Sequence, residues 1–363
     1  MNFSGSYRSD DVSFLLKPLD LTQFGAQFVD VANKELLIQS GQRHYSEMLS
    51  PESLPSERYL SLFRQACEAN LGRMARDCLT LASLIAQRRD GPVTLVSLAR
   101  AGTPVGVVLK HLLTKGMGRE TAHYSVSIIR DRGIDQVALE HILAQGHAPE
   151  SIVFVDGWTG KGVISRELSS AVDAFNARHG TRIDGGLYVL SDLAGTAACA
   201  ASCDDYLIPS SILNATVSGL VSRSILNEQI GPGDFHGCVY YRQFEAHDQS
   251  QRFADQLVAR ALGMAPQAAA PIERAQAAAV SQAYMRAALA RHGIADANLV
   301  KPGIGEATRV LLRRSPRLLI VRDAAAPDVA HLVLLAQEKN IPVAVDPDLP
   351  YHAVSLIRSA LDG

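Results

Sequence analysis

Short apolar, β-branched runs alternate with helical segments along the first half of the chain, and this alternation constrains the fold most. The strand-like runs are Val93–Leu98, Ser125–Ile129, Ser151–Val155 and Gly186–Leu190. The segments with helical spacing of apolar residues are 61–88, 105–113, 138–144 and 163–178. Short buried strands separated by helices predict a parallel sheet, and we therefore expect an α/β fold.

One shift in composition divides the chain. Twelve of the 27 residues from Met264 to Ala290 are alanine, and Pro266 and Pro271 lie among them. We therefore predict a first domain over residues 1–262, a connector with an Ala-rich helix over 263–290, and a second domain over 291–363. The sequence pattern of the second domain predicts a small α/β sandwich. Its helices are expected over 306–314, 327–339 and 351–361, and its strands over 317–321 and 342–345.

Charge and cysteine content exclude several classes of protein. The chain has 35 Lys and Arg against 37 Asp and Glu among its 363 residues, so it is not a globally basic nucleic-acid binder. It lacks the apolar run of about 18 residues that a membrane-spanning helix needs. Five scattered cysteines predict reduced thiols, and Cys199 and Cys203 lack partners for a zinc site. We expect a cytoplasmic protein without membrane contact, and leave its oligomeric state open.

The loop that follows the third predicted strand carries the strongest signal for a ligand. The run Val153–Val155 leads into Asp156, and a turn follows that contains Thr159, Gly160, Lys161 and Gly162 before the next helix. Backbone N–H groups of such a turn, with the Thr hydroxyl and the Lys ammonium, are suited to bind a phosphate. The carboxylate is suited to bind sugar hydroxyls or Mg²⁺. An ordinary Gly-rich turn is the alternative.

A second loop has the same setting. Arg100, Ala101 and Gly102 follow the first predicted strand and precede a helix, where the arginine is suited to bind another anion. A solvated arginine in a plain turn is the alternative. Two such loops at the carboxyl ends of strands in one parallel sheet favour a ligand with two phosphate groups.

These loops resemble the pyrophosphate loop and the phosphoribosyl-diphosphate (PRPP) loop of type I phosphoribosyltransferases. Asp156, Thr159 and Gly160 match the family pattern, whereas Val155 and Gly162 depart from it. The resemblance implies PRPP bound with Mg²⁺ through Asp156, and transfer of ribosyl 5-phosphate to an unidentified acceptor. It assigns the 5′-phosphate to Thr159, Gly160, Lys161 and Gly162, the pyrophosphate to Arg100, Ala101 and Gly102, lid roles to Arg130 and Arg132, and a further anion contact to Arg223.

Further segments narrow the resemblance to one bacterial family. Residues 3–7, 11–17, 155–162 and 218–223 are similar to a family associated with tellurium-resistance and stress gene clusters. Its members carry the label phosphoribosyltransferase-like or cysteine protease StiP. In many members a Pelota-like RNA-binding domain follows, and residues 301–363 resemble that domain.

The C-terminal segment has a local excess of positive charge. The segment from Lys301 to Arg322 contains six basic residues and only one acidic residue, Glu306. In binders of kinked RNA, a Gly/Asn/Glu loop at this position reads base edges while Lys and Arg contact phosphates. The Asn of that pattern has no counterpart beside Glu306. The RNA-binding candidates are Lys301, Gly303, Gly305, Glu306, Arg309, Arg313 and Arg314. The alternative is a helix-capping carboxylate beside a solvated basic face.

The protease label requires a thiol and a base. Cys238 and His236 are close in sequence, and residues two apart on a strand share a face, which makes them the candidate thiol site. A small buried side chain is the alternative for Cys238.

We predict a PRPP-dependent phosphoribosyltransferase with an appended RNA-binding domain. A thiol peptidase and a non-catalytic nucleotide- or RNA-binding regulator are the alternatives.

Overall fold

A parallel sheet organises the N-terminal part of the protein. The computed structural model describes residues 3–20, 37–38, 40–49, 52–265 and 274–358, and we call residues 3–265 the sheet region. Its strands are β1 (Ser13–Leu15), β2 (Lys17–Pro18), β3 (Val93–Ala99), β4 (Thr121–Ile129), β5 (Gly133–Ile134), β6 (Ile152–Thr159), β7 (Leu187–Asp192), β8 (Cys199–Ser202) and β9 (Gly237–Cys238). The main sheet has the order β1-β4-β3-β6-β7-β8, and every pairing along it is parallel.

Helices cover both faces of this sheet. They are α1 (Glu57–Arg88), α2 (Thr103–His111), α3 (Gln136–Ala144), α4 (Val163–His179) and α5 (Ser250–Leu262). Leu95 and Val153 pack with α1, α2 and α5 on one face, whereas Val96 and Phe154 pack with α3 and α4 on the other. Strands buried on both faces explain the unbroken apolar runs, and the α/β fold with a parallel sheet is confirmed.

The N-terminal residues are held by residues more than 200 positions later. The Tyr7 hydroxyl donates to the Val217 carbonyl at 3.2 Å, and both terminal nitrogens of Arg8 donate to Asp255, at 2.8 and 2.6 Å. Strand β2 pairs with β9. The N-terminal segment is therefore held at two places, by β4 through β1 and by the last third of the sheet region through Tyr7, Arg8 and β2.

Residues 274–358, the C-terminal region, form a second α/β layer structure. Its elements are α6 (Arg274–His292), β10 (Val300–Pro302), α7 (Ile304–Arg313), β11 (Pro316–Val321), α8 (Ala330–Glu338), β12 (Val343–Val345) and β13 (Ala353–Ile357). The sheet order is β10-β13-β11-β12, with only β11 and β12 parallel. Leu319 and Val321 face α7 and α8, whereas Ile320 faces α6.

One predicted element is wrong. The helical spacing over residues 351–361 predicted a closing helix, but Ala353–Ile357 is the strand β13, between β10 and β11. All five of its residues are buried, because the strand has sheet neighbours on both edges and packing on both faces. Pairing in the sheet outweighs the local helical pattern. Residues 359–361 lie outside the described part of the chain.

Within the described residues, the structure contains no helix with the length and apolar character that crossing a membrane requires.

Candidate functional site

The two predicted loops meet at the centre of the parallel sheet. After β3 the chain crosses to β4 on one side, and after β6 it crosses to β7 on the other. The carboxyl ends of β3 and β6 therefore flank the point where the strand order reverses, the usual place for a ligand in such sheets. A Cβ on Gly102 would lie 2.6 Å from the Val155 carbonyl oxygen, so only glycine lets the loop after β3 pack this closely against β6.

The Gly-rich turn starts later than predicted, because β6 continues through Thr159, and the turn contacts the C-terminal region. Gly162 has a φ of +68°, and its N–H donates to the Thr159 hydroxyl at 3.0 Å. The Lys161 ammonium donates to the Ala297 carbonyl at 2.6 Å. A Cβ on Gly160 would lie 3.0 Å from the Pro302 carbonyl oxygen. Lys161 therefore binds the C-terminal region in this arrangement.

Asp156 also faces the C-terminal region. The Gly157 N–H donates to its carboxylate at 2.7 Å. Burial raises the pKa of Asp156 to about 6, because the nearby Arg309 compensates only part of the desolvation and Glu306 repels the carboxylate. The described residues contain no group of three or more His, Cys, Asp or Glu suited to a metal ion, and Mg²⁺ stays a prediction.

Arg100 is held inside the sheet region. Its guanidinium pairs with Glu52 at 2.5 Å and donates to the Asn214 side chain and the Val221 carbonyl, both at 3.0 Å. Ala101 is partly buried in the same turn. The cation predicted to bind pyrophosphate is therefore paired with a carboxylate of the chain itself.

The three remaining arginines surround the segment 45–48. Arg130 and Arg223 lie 5.8 and 5.6 Å from the Tyr45 ring centroid, and Arg223 also donates to the Met48 carbonyl. Arg132 pairs with Glu47. Burial lowers the pKa of Lys161 and of Lys301, and the nearby Arg130 adds to the lowering of both, so the structure brings these three cations together.

The turn predicted to read RNA bases is covered by the sheet region. A Cβ on Gly303 would lie 2.5 Å from Leu193 Cδ1, and a Cβ on Gly305 would lie 2.8 Å from Trp158 Cε2. The Arg309 guanidinium lies 4.1 Å from the Trp158 ring centroid and pairs with Glu306 at 3.0 Å. We call Trp158, Gly160, Gly303, Gly305 and Arg309 the tight contact.

The charged side chains beside the tight contact change one another's pKa values. Burial, together with Lys301, lowers the pKa of Lys161 to about 7. Burial opposes ionisation of Glu306, but Arg309, Lys301 and Lys161 outweigh it and hold its pKa below the usual range. Arg314 is partly buried, and the Arg313 side chain lies outside the described structure. Charged groups of the predicted phosphate loop and of the RNA-binding turn therefore shift one another's pKa values.

The predicted thiol pair does not have the properties of a nucleophile and its base. Cys238 has an exposed fraction of 0%, and burial raises the pKa of its thiol to about 12. The His236 Nδ1 atom lies 2.7 Å from the Ser127 hydroxyl, and its backbone N–H donates to Asp135 at 2.6 Å. A thiol this buried stays protonated, which favours the structural alternative for Cys238.

A different cysteine lies in an open cleft. Cys203 is exposed, whereas Cys78, Cys199 and Cys238 are buried and Cys67 is partly buried. A cleft of about 450 Å³ contains Cys203 and is formed by both regions. Its polar lining consists of Asp192, Cys203, Asp204, Asp205, Gln276, Arg322, Tyr351 and His352. We call it the thiol cleft.

The histidine of the thiol cleft is held from two sides. The Arg322 guanidinium donates to His352 Nε2 at 2.6 Å, which fixes the orientation of the imidazole. The His352 backbone N–H donates to Asp205 Oδ2 at 2.8 Å, and the Ile304 N–H donates to Oδ1 at 2.7 Å. Asp205 thus links the thiol cleft to the turn at Ile304. Sequence reasoning missed this site, because Cys203 and His352 are far apart in the chain and match no motif.

Comparisons with known proteins match both parts of the chain. Residues 5–258 match the family described as tellurite-like stress resistance cysteine protease StiP, and residues 279–359 match the PELOTA RNA binding domain. A relative from Acinetobacter baylyi, named cysteine protease StiP, is 43% identical over 374 residues, covering 98% of this chain and 94% of its own.

A solved structure gives only a slight likeness. The Helicobacter pylori xanthine-guanine-hypoxanthine phosphoribosyltransferase is 20% identical, with a TM-score of 0.25, and covers 35% of this chain and 78% of its own. A likeness of this size supports no conclusion about the fold or the reaction.

The predicted activity is therefore wrong. The sequence pattern favoured PRPP-dependent ribosyl transfer, but the matching family and relative are described as cysteine proteases, which supports the thiol-peptidase alternative instead. The physical reason for the error is visible in the loops, where Arg100 and Lys161 bind groups of the chain itself. The resemblance to the stress-associated family and to the Pelota-like domain is confirmed, and the chain belongs to the StiP family of tellurite-like stress resistance cysteine proteases.

Proposed function

We propose that the protein is a thiol peptidase whose nucleophile is Cys203. The observation that carries the proposal is the position of Cys203, which is exposed in a cleft of about 450 Å³ that also contains His352. A thiol nucleophile must reach both substrate and base, and a buried thiol such as Cys238 reaches neither. The description of the family as cysteine proteases supports the same chemistry.

The proposed reaction uses two groups of the thiol cleft. His352 takes the proton of the Cys203 thiol on Nε2, which breaks the hydrogen bond from Arg322, and the sulfur attacks the peptide carbonyl carbon. The C–N bond breaks, and the amine leaves with the proton from His352. Water then hydrolyses the thioester and restores the thiol. A free reactive thiol suits a reducing compartment, which favours the cytoplasm.

Substitution of two cysteines tests the assignment. Full-length Cys203→Ala should lose cleavage of a fluorogenic peptide library by about 10³-fold or more, as expected when a nucleophile is removed. Cys238→Ala is the matched control and should retain cleavage, because its thiol is buried. His352→Gln should lose most of the activity as well. Cleavage that survives Cys203→Ala, or that is absent from the unmodified chain, overturns the assignment.

We further propose that the C-terminal region binds structured RNA. The match to the PELOTA RNA binding domain and the five net positive charges between Lys301 and Arg322 support this. If four or five phosphates are contacted, log affinity should fall with log salt at a slope of about −3 to −4. Replacing Arg313 and Arg314 with alanine should reduce the magnitude of that slope. Binding of a looped RNA that does not respond to salt contradicts the proposal.

For the architecture, we propose a type I phosphoribosyltransferase-like arrangement of the sheet without that enzyme's reaction. We also propose the division into residues 1–262, 263–290 and 291–363. The loops at the carboxyl ends of β3 and β6 support the first proposal. Cooperative unfolding of an isolated fragment of residues 1–262 would test the second.

A further inference from the structure

The turn at the start of α7 has two competing uses. As part of an RNA-binding domain, Gly303, Gly305 and Glu306 would need to be accessible to bases. In the folded chain, Gly303 and Gly305 are buried against Leu193 and Trp158, at separations that leave no space even for an added Cβ. No base can enter this turn while the two regions stay in contact.

Asp205 connects the covered turn to the thiol cleft. Its carboxylate belongs to the sheet region, and it accepts N–H groups from Ile304 and His352 of the C-terminal region at 2.7 and 2.8 Å. Hydrogen bonds to an ionised carboxylate are stronger than those between neutral groups. The two bonds therefore tie the docking of the turn to the position of His352 in the thiol cleft.

We propose that RNA and the sheet region compete for the Gly303–Glu306 turn, and that Asp205 is the latch that holds the turn against the sheet region. RNA binding then separates the regions and withdraws His352 from the thiol cleft. This inference rests on the proposed function, and it adds a regulator, structured RNA, to the site proposed there.

The single tryptophan of the chain provides a direct measurement. Trp158 lies between Gly305 and the Arg309 guanidinium, and its indole nitrogen is buried. Separation of the regions exposes the indole to water. We therefore expect the emission maximum of the full-length protein to shift to the red as a hairpin RNA with a kinked internal loop is added at low salt. An unchanged emission maximum at saturating RNA overturns the proposal.

Variants of neighbouring carboxylates sharpen the test. Asp205→Asn removes the charge and one acceptor of the latch, so a larger fraction of the chain has its turn free and the apparent RNA affinity should rise about tenfold. Asp204→Asn makes the same change one residue earlier, where the carboxylate pairs with Arg73 of the sheet region, and should leave RNA affinity unchanged. Equal RNA affinity of the two variants overturns the proposal.

A packing variant guards against a folding defect in Asp205→Asn. Leu193→Ala removes the side chain that covers Gly303 without altering the RNA-binding turn, and it should raise RNA affinity in the same direction. Neither readout requires peptide cleavage, so the test stands even if the Cys203 assignment fails. Failure of the RNA assignment would appear as no binding by any variant, whereas failure of the latch alone would appear as equal binding by all of them.

Discussion

The boundary between the two regions has a tight part and an open part. At the tight contact, Gly160 packs against the Pro302 carbonyl, Gly303 against the Leu193 side chain and Gly305 against the Trp158 indole. At the thiol cleft, polar groups from both regions surround about 450 Å³ of space. The glycine motifs, which suggested a ligand pocket, therefore join the two regions, whereas the accessible thiol and imidazole lie at a place without a motif.

The tight contact should be the more sensitive of the two to added volume. Gly305→Ala places a methyl group 2.8 Å from the indole, and overpacking of this kind costs about 1–3 kcal/mol even though alanine favours the helix. The free energy of unfolding from urea titration and the Trp158 emission maximum would measure the loss. Gly157→Ala is the control, because a Cβ there has open space and the backbone is unstrained. An equal effect of the two substitutions would contradict this account.

Low pH should lower the free energy of unfolding through His331, which packs against the helix that follows the tight turn. His331 lies 2.9 Å from the Thr308 hydroxyl, which donates to the Ile304 carbonyl, and burial lowers the pKa of His331 to about 4. The unfolded chain binds this proton near pH 6.5, so the stability from neutral His331 is complete above pH 6.5 and is lost as pH falls toward 4.

The expected size of this effect follows from linkage. Between pH 7 and pH 5 the loss amounts to about 2 kcal/mol for a single histidine shifted this far. Urea titrations at both pH values would measure it. His331→Gln should remove this part of the pH dependence, and an unchanged pH dependence in that variant would contradict the assignment to His331.

The thiol cleft should tolerate substitution with the smallest change in stability. Arg322→Ala removes the hydrogen bond to His352 Nε2 at a partly exposed position, and we expect the free energy of unfolding to change by no more than about 0.5 kcal/mol. Peptide cleavage should nevertheless fall, because the imidazole loses its orientation. A large loss of stability would contradict this account, because it would show that the thiol cleft is packed as closely as the tight contact.

The buried strands were predictable because their signal is local. β3 and the first half of β6 are apolar runs, whereas the second half of β6, through Thr159, lies in the segment predicted as a loop. β1 and β8 have three and four residues, which is too short for a periodic signal. β13 carries a helical spacing that only its sheet neighbours overrule.

The contacts between the regions were not predictable in the same way. The bonds of Asp205 to Ile304 and His352 span 99 and 147 residues, and no spacing rule relates residues so distant in the chain. The charge excess after Lys301 was visible in the sequence, but its partner surface around Trp158 was not. Local sequence patterns identified the strands and helices, whereas the binding partner of each loop depends on residues far away in the chain.

The attachment of Tyr7 and Arg8 to residues 217–255 has a consequence for synthesis on the ribosome. The first residues to emerge must wait for partners that follow 210 to 247 positions later. At about 5–20 residues per second, this delay lasts about 10 to 50 s. β4 is synthesised within this interval, and β1 can then pair with it through only three residues before Tyr7 and Arg8 have their partners. A chaperone that shields strand edges would have its effect on this sheet edge in the same interval.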